Sequence, residues 1–158
     1  MTNRTRVGDL GENLVSSVFN WPKSSDAYDD EKDLLDKDGN TVEVKTQNRV
    51  TVEGIDYFSI HWAAFGEKYY SNFCKCSNVD RLLFVEYASL KSEFAPKIHP
   101  NIINIWECFK HGPRDGKRYM SRIGWMYGWP IEDMTMLYSV ADESLANKFR
   151  EYSQAGSL

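Results

Sequence analysis

Asp33, Glu43 and Lys45 are the residues of this sequence whose types and spacing could do chemistry together. Two carboxylates and an ammonium on one side of a short hairpin would form a site for a hard cation, with a counter-charge at its edge. Like charges held close repel, and burying them costs more still. A divalent ion removes that cost by supplying positive charge. The hairpin that must gather them alternates with a strand's period of two over Thr41–Thr46. Val42 and Val44 therefore point one way, Glu43 and Lys45 the other. Asp38-Gly39 signals a turn. A three-residue loop, Lys37-Asp38-Gly39, needs Gly39 in the left-handed conformation. In that register Asp36 faces Asn40, Leu34 faces Val42 and Asp33 faces Glu43. A two-residue loop would set Asp33 opposite Val44 and break the grouping. A solvated strand face with Glu and Lys two apart reads the same from spacing alone.

The elements around the hairpin follow from hydrophobic period. Leu10, Leu14, Val15 and Val18 recur at helical spacing and predict a helix over about Asp9–Phe19. Glu12 lies on the flank of that apolar stripe, where a first-turn Glu also serves simply to favour the helix dipole. Strands are predicted near Tyr57–Ile60 and over Arg81–Tyr87, whose apolar run is of the fully buried type, and Ile102–Trp106 is a further short apolar run that reads as a strand or a helix end. Trp62, Phe65, Tyr69 and Phe73 predict a helix over Trp62–Phe73. His111–Tyr119 reads as a basic surface loop, and Met120–Met136 as an irregular apolar stretch. Asp142–Tyr152 reads as an amphipathic helix, and Gln154–Leu158 as a frayed end.

The order of these elements resembles the PD-(D/E)XK nuclease superfamily. The residues that carry the resemblance are Gly11-Glu12 on the helix, Asp33 on a first strand, and Glu43-Val44-Lys45 on a second. Val42-Glu43-Val44-Lys45-Thr46-Gln47 is similar to the branch of Holliday junction resolvases and restriction-like enzymes. Lys32 stands where the family name puts Pro. The resemblance covers the first third and extends to about residue 90. It implies an α/β (α+β) fold: one restriction-endonuclease-like domain with an αβββαβ core and a central mixed sheet flanked by helices. Residues from about 95 to 158 form an extension that the family does not match.

The activity so implied is metal-dependent hydrolysis of DNA phosphodiesters by a junction resolvase or a site-specific (restriction-like or homing) endonuclease. Asp33 and Glu43, with the Val44 carbonyl, would hold Mg²⁺ or Mn²⁺, and Glu12 a second ion or a bound water. Lys45 would orient the attacking water or offset charge on the phosphate. Gln47, Arg49, Arg114, Lys117 and Arg118 are candidate DNA contacts. Gln47 also fits a plain strand-end polar residue, and the 114–122 loop a solvated tip. The alternative is a catalytically silent module that binds nucleic acid or protein on the same fold. Cutting two strands needs two sites, so a homodimer is expected.

Composition constrains the partners. The 158 residues suit a single domain, and the net charge is −4. That charge argues mildly against unspecific nucleic-acid binding, but its distribution matters more. Residues 1–43 hold ten acids against five bases, whereas 44–125 hold twelve bases against eight acids. No long apolar run marks a membrane span, and no signal-peptide pattern opens the chain. Three Cys, an odd number, fit a reducing interior, so an intracellular protein, phage-encoded ones included, is expected. Cys74, Cys76, Cys108 and His111 have the donor types for structural Zn²⁺. Cys-x-Cys is a less usual knuckle than Cys-x2-Cys, which argues against zinc.

Overall fold

The computed structural model describes residues 3–23, 34–63, 76–91, 97–109, 116–121 and 124–155. Helix α1 (Asn3–Phe19) leads into β1 (Leu34–Leu35) and β2 (Thr41–Gln47), then β3 (Val50–Val52) and β4 (Ile55–Ala63). After helical residues 76–78 come β5 (Arg81–Tyr87), β6 (Ile102–Cys108), β7 (Lys117–Ser121), β8 (Gly124–Pro130) and β9 (Thr135–Ala141). Helix α2 (Glu143–Ala155) ends the described chain. Asp142 caps it, its Oδ1 accepting the Leu145 N–H at 3.0 Å.

These strands form two sheets among the described residues. The first has the order β1-β2-β5-β6-β9, and the second β3-β4-β8-β7. Only β2 and β5 run parallel, so the first sheet is mixed and the second antiparallel. The fold is thus mixed α/β, mostly strands with a few helices. The anticipated single sheet flanked by helices is replaced by a sheet with helices on one face and a second sheet on the other. Among the described residues no helix is long and apolar enough to cross a membrane.

The period of two along β2 and β5 explains the layering. Val42, Val44, Leu83 and Val85 share a core with Val7 and Val15 of α1 and Ala146 and Phe149 of α2. Leu82 and Phe84 point the other way and pack with Phe58, Ile60 and Trp129 of the second sheet. Phe84 stacks on Phe58 with ring centroids 5.0 Å apart, and Tyr87 on Phe149 at 5.4 Å. Because β5 is covered on both faces, its apolar run is continuous.

The approach of α1 to β2 is close. A Cβ added at Gly11 would lie 1.8 Å from Thr46 Oγ1 and 3.1 Å from Thr46 Cβ. Gly11→Ala is therefore expected to cost about 1–3 kcal/mol by overpacking. A shift in the urea midpoint at unchanged m-value checks this.

The hairpin takes the anticipated register. Leu34 pairs with Val42, Leu35 with Thr41, and Gly39 sits at φ +82°. The Asp36 N–H donates to the Asn40 carbonyl at 3.0 Å. Asp36 also organises the turn through its side chain, accepting from the Asp38 and Asn40 N–H groups at 2.9 Å each. Burial pushes its pKa up. Hydrogen bonds from the Asn40 side chain, from those two N–H groups and from Arg81 outweigh this and hold the carboxyl below the usual range. Such a group adds stability above the unfolded Asp pKa, about 3.9, and loses it as pH falls through the folded value. The stability lead of wild type over Asp36→Asn should therefore be full at neutral pH and shrink below about pH 4, as urea melts across that range would show.

Two expectations change with the tertiary structure. Trp62 and Ala63 continue β4 instead of opening a helix, because β4 is paired there by β8 through Ala63↔Trp125. The rest of that predicted helix, 64–73, lies outside the described residues. The stretch read as irregular, Met120–Met136, is ordered as the end of β7, the strand β8, a 3-10 turn and the start of β9. The alternation was hidden because β8 carries Gly128 and Pro130 among its aromatics.

Candidate functional site

Glu43 and Lys45 project from β2 on the face opposite Val42 and Val44, towards the second sheet. Their register partners on β5 are Leu82 and Phe84, which pack in the inter-sheet core. Glu43 is only 1% exposed. Lys45 Nζ lies 3.2 Å from Glu43 Oε1, and the lysine side chain keeps 25% of its surface in solvent. The pair therefore has an inner carboxylate and an outer ammonium. A carboxylate this deep must be met by a cation or by donors, since desolvation alone would cost several kcal/mol. Asp33, expected opposite Glu43, lies outside the described residues.

Glu12 is half-buried on α1, directly after the Gly11 that abuts Thr46. Thr46 alternates with Lys45, so α1 covers the face of β2 opposite the Glu43–Lys45 pair. Among the described residues no three His, Cys, Asp or Glu side chains gather as a metal-holding group. Cys76 and Cys108 are buried in the inter-sheet core and form no disulfide, and Cys74 and His111 lie outside the described residues.

Two candidate DNA contacts are engaged internally. The Gln47 carboxamide takes the Ser59 N–H on its Oε1 and gives its Nε2–H to the Ser59 carbonyl, both at 2.8 Å. It acts as a short extra strand beside β4, beyond the end of β3 at Val50↔Tyr57. Arg49 forks onto Glu86 through Nε and Nη2, the latter at 3.0 Å, and reaches Asp56 through Nη1 at 3.1 Å. The hydrogen bonds to Glu86 push its pKa further up despite burial. Burial pushes the Asp56 carboxyl up, but hydrogen bonds from Thr51 and Arg49 prevail and hold it below its ordinary range.

Glu86 is the centre of this network and escaped the sequence reading. It is 1% exposed and also accepts from Asn104 Nδ2 at 3.1 Å and Trp106 Nε1 at 2.8 Å. Its signal was a lone carboxylate inside the apolar run Leu82–Tyr87. A second cluster, Arg81 with Glu107 and Asp36, closes the other end of β5 at 2.7–3.2 Å, and the Arg81 guanidinium sits 4.8 Å over the Trp21 ring.

Lys117 and Arg118 are exposed on β7, and Arg114 lies outside the described residues. Arg118 Cζ lies 5.7 Å over the Trp125 ring, and Lys117 Nζ lies 5.3 Å over that of Tyr57. Trp125 and Met120, which the sequence assigns only to an irregular apolar stretch, are exposed beside Arg118.

No known family model matches the chain, and no curated protein matches it either.

Proposed function

We propose that the protein is a metal-dependent DNA endonuclease of the PD-(D/E)XK type, acting as a homodimer when both strands are cut. The observation that carries this reading is the Glu43–Lys45 pair, 3.2 Å apart on a strand whose hairpin register sets Leu34 against Val42. The order α1–β1–β2, with β5 parallel beside β2, supports a restriction-endonuclease-like core. The donor set of Asp33 and Glu43 carboxylates with the Val44 carbonyl is all hard oxygen, which fits Mg²⁺ or Mn²⁺ better than a soft ion. When bound, such an ion supplies Lewis-acid polarisation of a phosphate and an acidified water.

The chain's own residues carry the rest. Glu43, held in a dry inter-sheet wall, keeps its carboxylate in one position. Lys45 presents its ammonium at the solvent edge, where it holds the attacking water and offsets charge growing on the phosphate oxygens. Water adds across one P–O ester bond, leaving a phosphomonoester and a free hydroxyl. The test is Mg²⁺-dependent nicking of supercoiled plasmid by wild type, Asp33→Ala, Glu43→Gln and Lys45→Ala. Wild-type nicking with background rates for the variants supports the reading, and nicking that persists in all three overturns it. DNA binding without cleavage in Mg²⁺ or Mn²⁺ would favour the silent binding module.

A further inference from the structure

We propose that the β7–β8 ribbon is a docking platform for single-stranded DNA. Trp125 stacks on an unpaired base while Arg118 and Lys117 take the flanking phosphates. The choice of DNA as occupant rests on the nuclease reading above; the platform itself rests on observations independent of it.

The first observation is charge. From Gly116 to Pro130 the chain carries Lys117, Arg118 and Arg122 and no acid, in a protein of net charge −4. Tyr119 lies between those bases, and Trp125, Tyr127 and Trp129 follow them along β8. A basic strand pair rich in aromatic rings suits a polyanion whose bases offer π-faces. A duplex hides those faces within its stack, whereas a single strand exposes them.

The second observation is which face the residues share. Arg118 pairs with Tyr127 and Met120 with Trp125, so all four side chains lie on one face of the ribbon. That face is the inner one, because Trp129 and Tyr127 pack against the first sheet. Along β8 it emerges from cover: Trp129 is 3% exposed and Trp125 41%, with Met120 at 60% beside it. Glu43 and Lys45 occupy the side of the first sheet that looks towards this same face. The aromatic platform and the acid–ammonium pair thus open to the same inter-sheet side.

The third observation is preorganisation. The Arg118 guanidinium lies over the exposed Trp125 ring, which sets a cation beside an aromatic surface before any ligand arrives. Lys117 projects from the opposite face of the strand, over Tyr57, so the two cations straddle the ribbon.

The test is fluorescence anisotropy of a labelled 12-nucleotide oligo-dT, a hairpin duplex of equal length and an oligo-rU, with Ca²⁺ replacing Mg²⁺. Wild type should bind oligo-dT more tightly than the duplex. Trp125→Ala should weaken oligo-dT binding by about tenfold or more, Arg118→Ala by several-fold, and Trp125→Phe should restore most of the loss. Unchanged binding by Trp125→Ala, or a preference for duplex, overturns the platform. Tighter binding of oligo-rU overturns the assignment to DNA. If oligo-dT binding depends on Trp125 while wild type nicks no plasmid, the platform stands and the nuclease reading falls.

Discussion

Arg49→Ala is expected to destabilise the protein by about 3–5 kcal/mol, the usual cost of removing one member of a buried ion pair. Glu86 is 1% exposed and sits mid-sheet, and its strongest partner is the fork of Arg49. Asn104 and Trp106 still donate to it after the substitution, but neither carries charge. An ionised carboxylate left there loses its counter-charge while staying out of water. Arg49→Lys should recover little, because a single ammonium cannot reproduce two parallel N–H bonds to Glu86 and a third to Asp56. The double variant Arg49→Ala/Glu86→Gln should be more stable than Arg49→Ala alone, since the uncompensated charge has gone. Urea unfolding of the three variants measures this. A loss below about 1 kcal/mol for Arg49→Ala would place the pair with ordinary surface salt bridges.

Lys45→Ala should lower the rate of Mg²⁺-dependent nicking by about 10²–10³-fold, the range seen when one preorganised charge-stabilising donor is removed. The effect on folding should be smaller than for Arg49, because the lysine side chain is already 25% solvated. The asymmetry between the two members of the pair is itself diagnostic. Glu43→Gln keeps the shape of a buried side chain and removes only its charge, so its main effect falls on activity. Lys45→Ala also leaves Glu43 with less counter-charge, so it should lose some thermal stability as well as rate. Lys45→Arg should restore only part of the rate, since a planar guanidinium does not present a compact charge at the same point. Initial rates on supercoiled plasmid, with melting curves of the same variants, separate the catalytic from the structural contribution. Wild-type rates in Lys45→Ala would remove Lys45 from the chemistry.

Much of the local structure was legible in the chain. The hairpin register followed from Asp38-Gly39 and the alternation of Val42 and Val44, because a slip by one residue would turn both valines away from the apolar face of the helices and set Glu43 and Lys45 against it. The strand Arg81–Tyr87 was legible because it is covered on both sides and so reads as one apolar run. The C-terminal helix was legible from its amphipathic period. The second sheet was not. Its strands carry glycine, proline and bulky aromatics in place of clean alternation, and β4 shifts register between His61 and Ala63. Partners more than sixty residues apart, such as Phe58 and Trp129, hold it together, and no local pattern records them.

The chemistry divides in the same way. Residue order alone determined that Glu43 and Lys45 share one side of a strand and Val42 and Val44 the other, since the side-chain period of two admits no other outcome. Only the tertiary structure decided that Gln47 and Arg49 turn inward, to Ser59 and to Glu86, and that Trp125 stands in solvent while Trp129 does not. Those outcomes depend on where a second sheet ends its cover over the first. That is a balance of contacts between distant segments, which neighbouring residues do not encode.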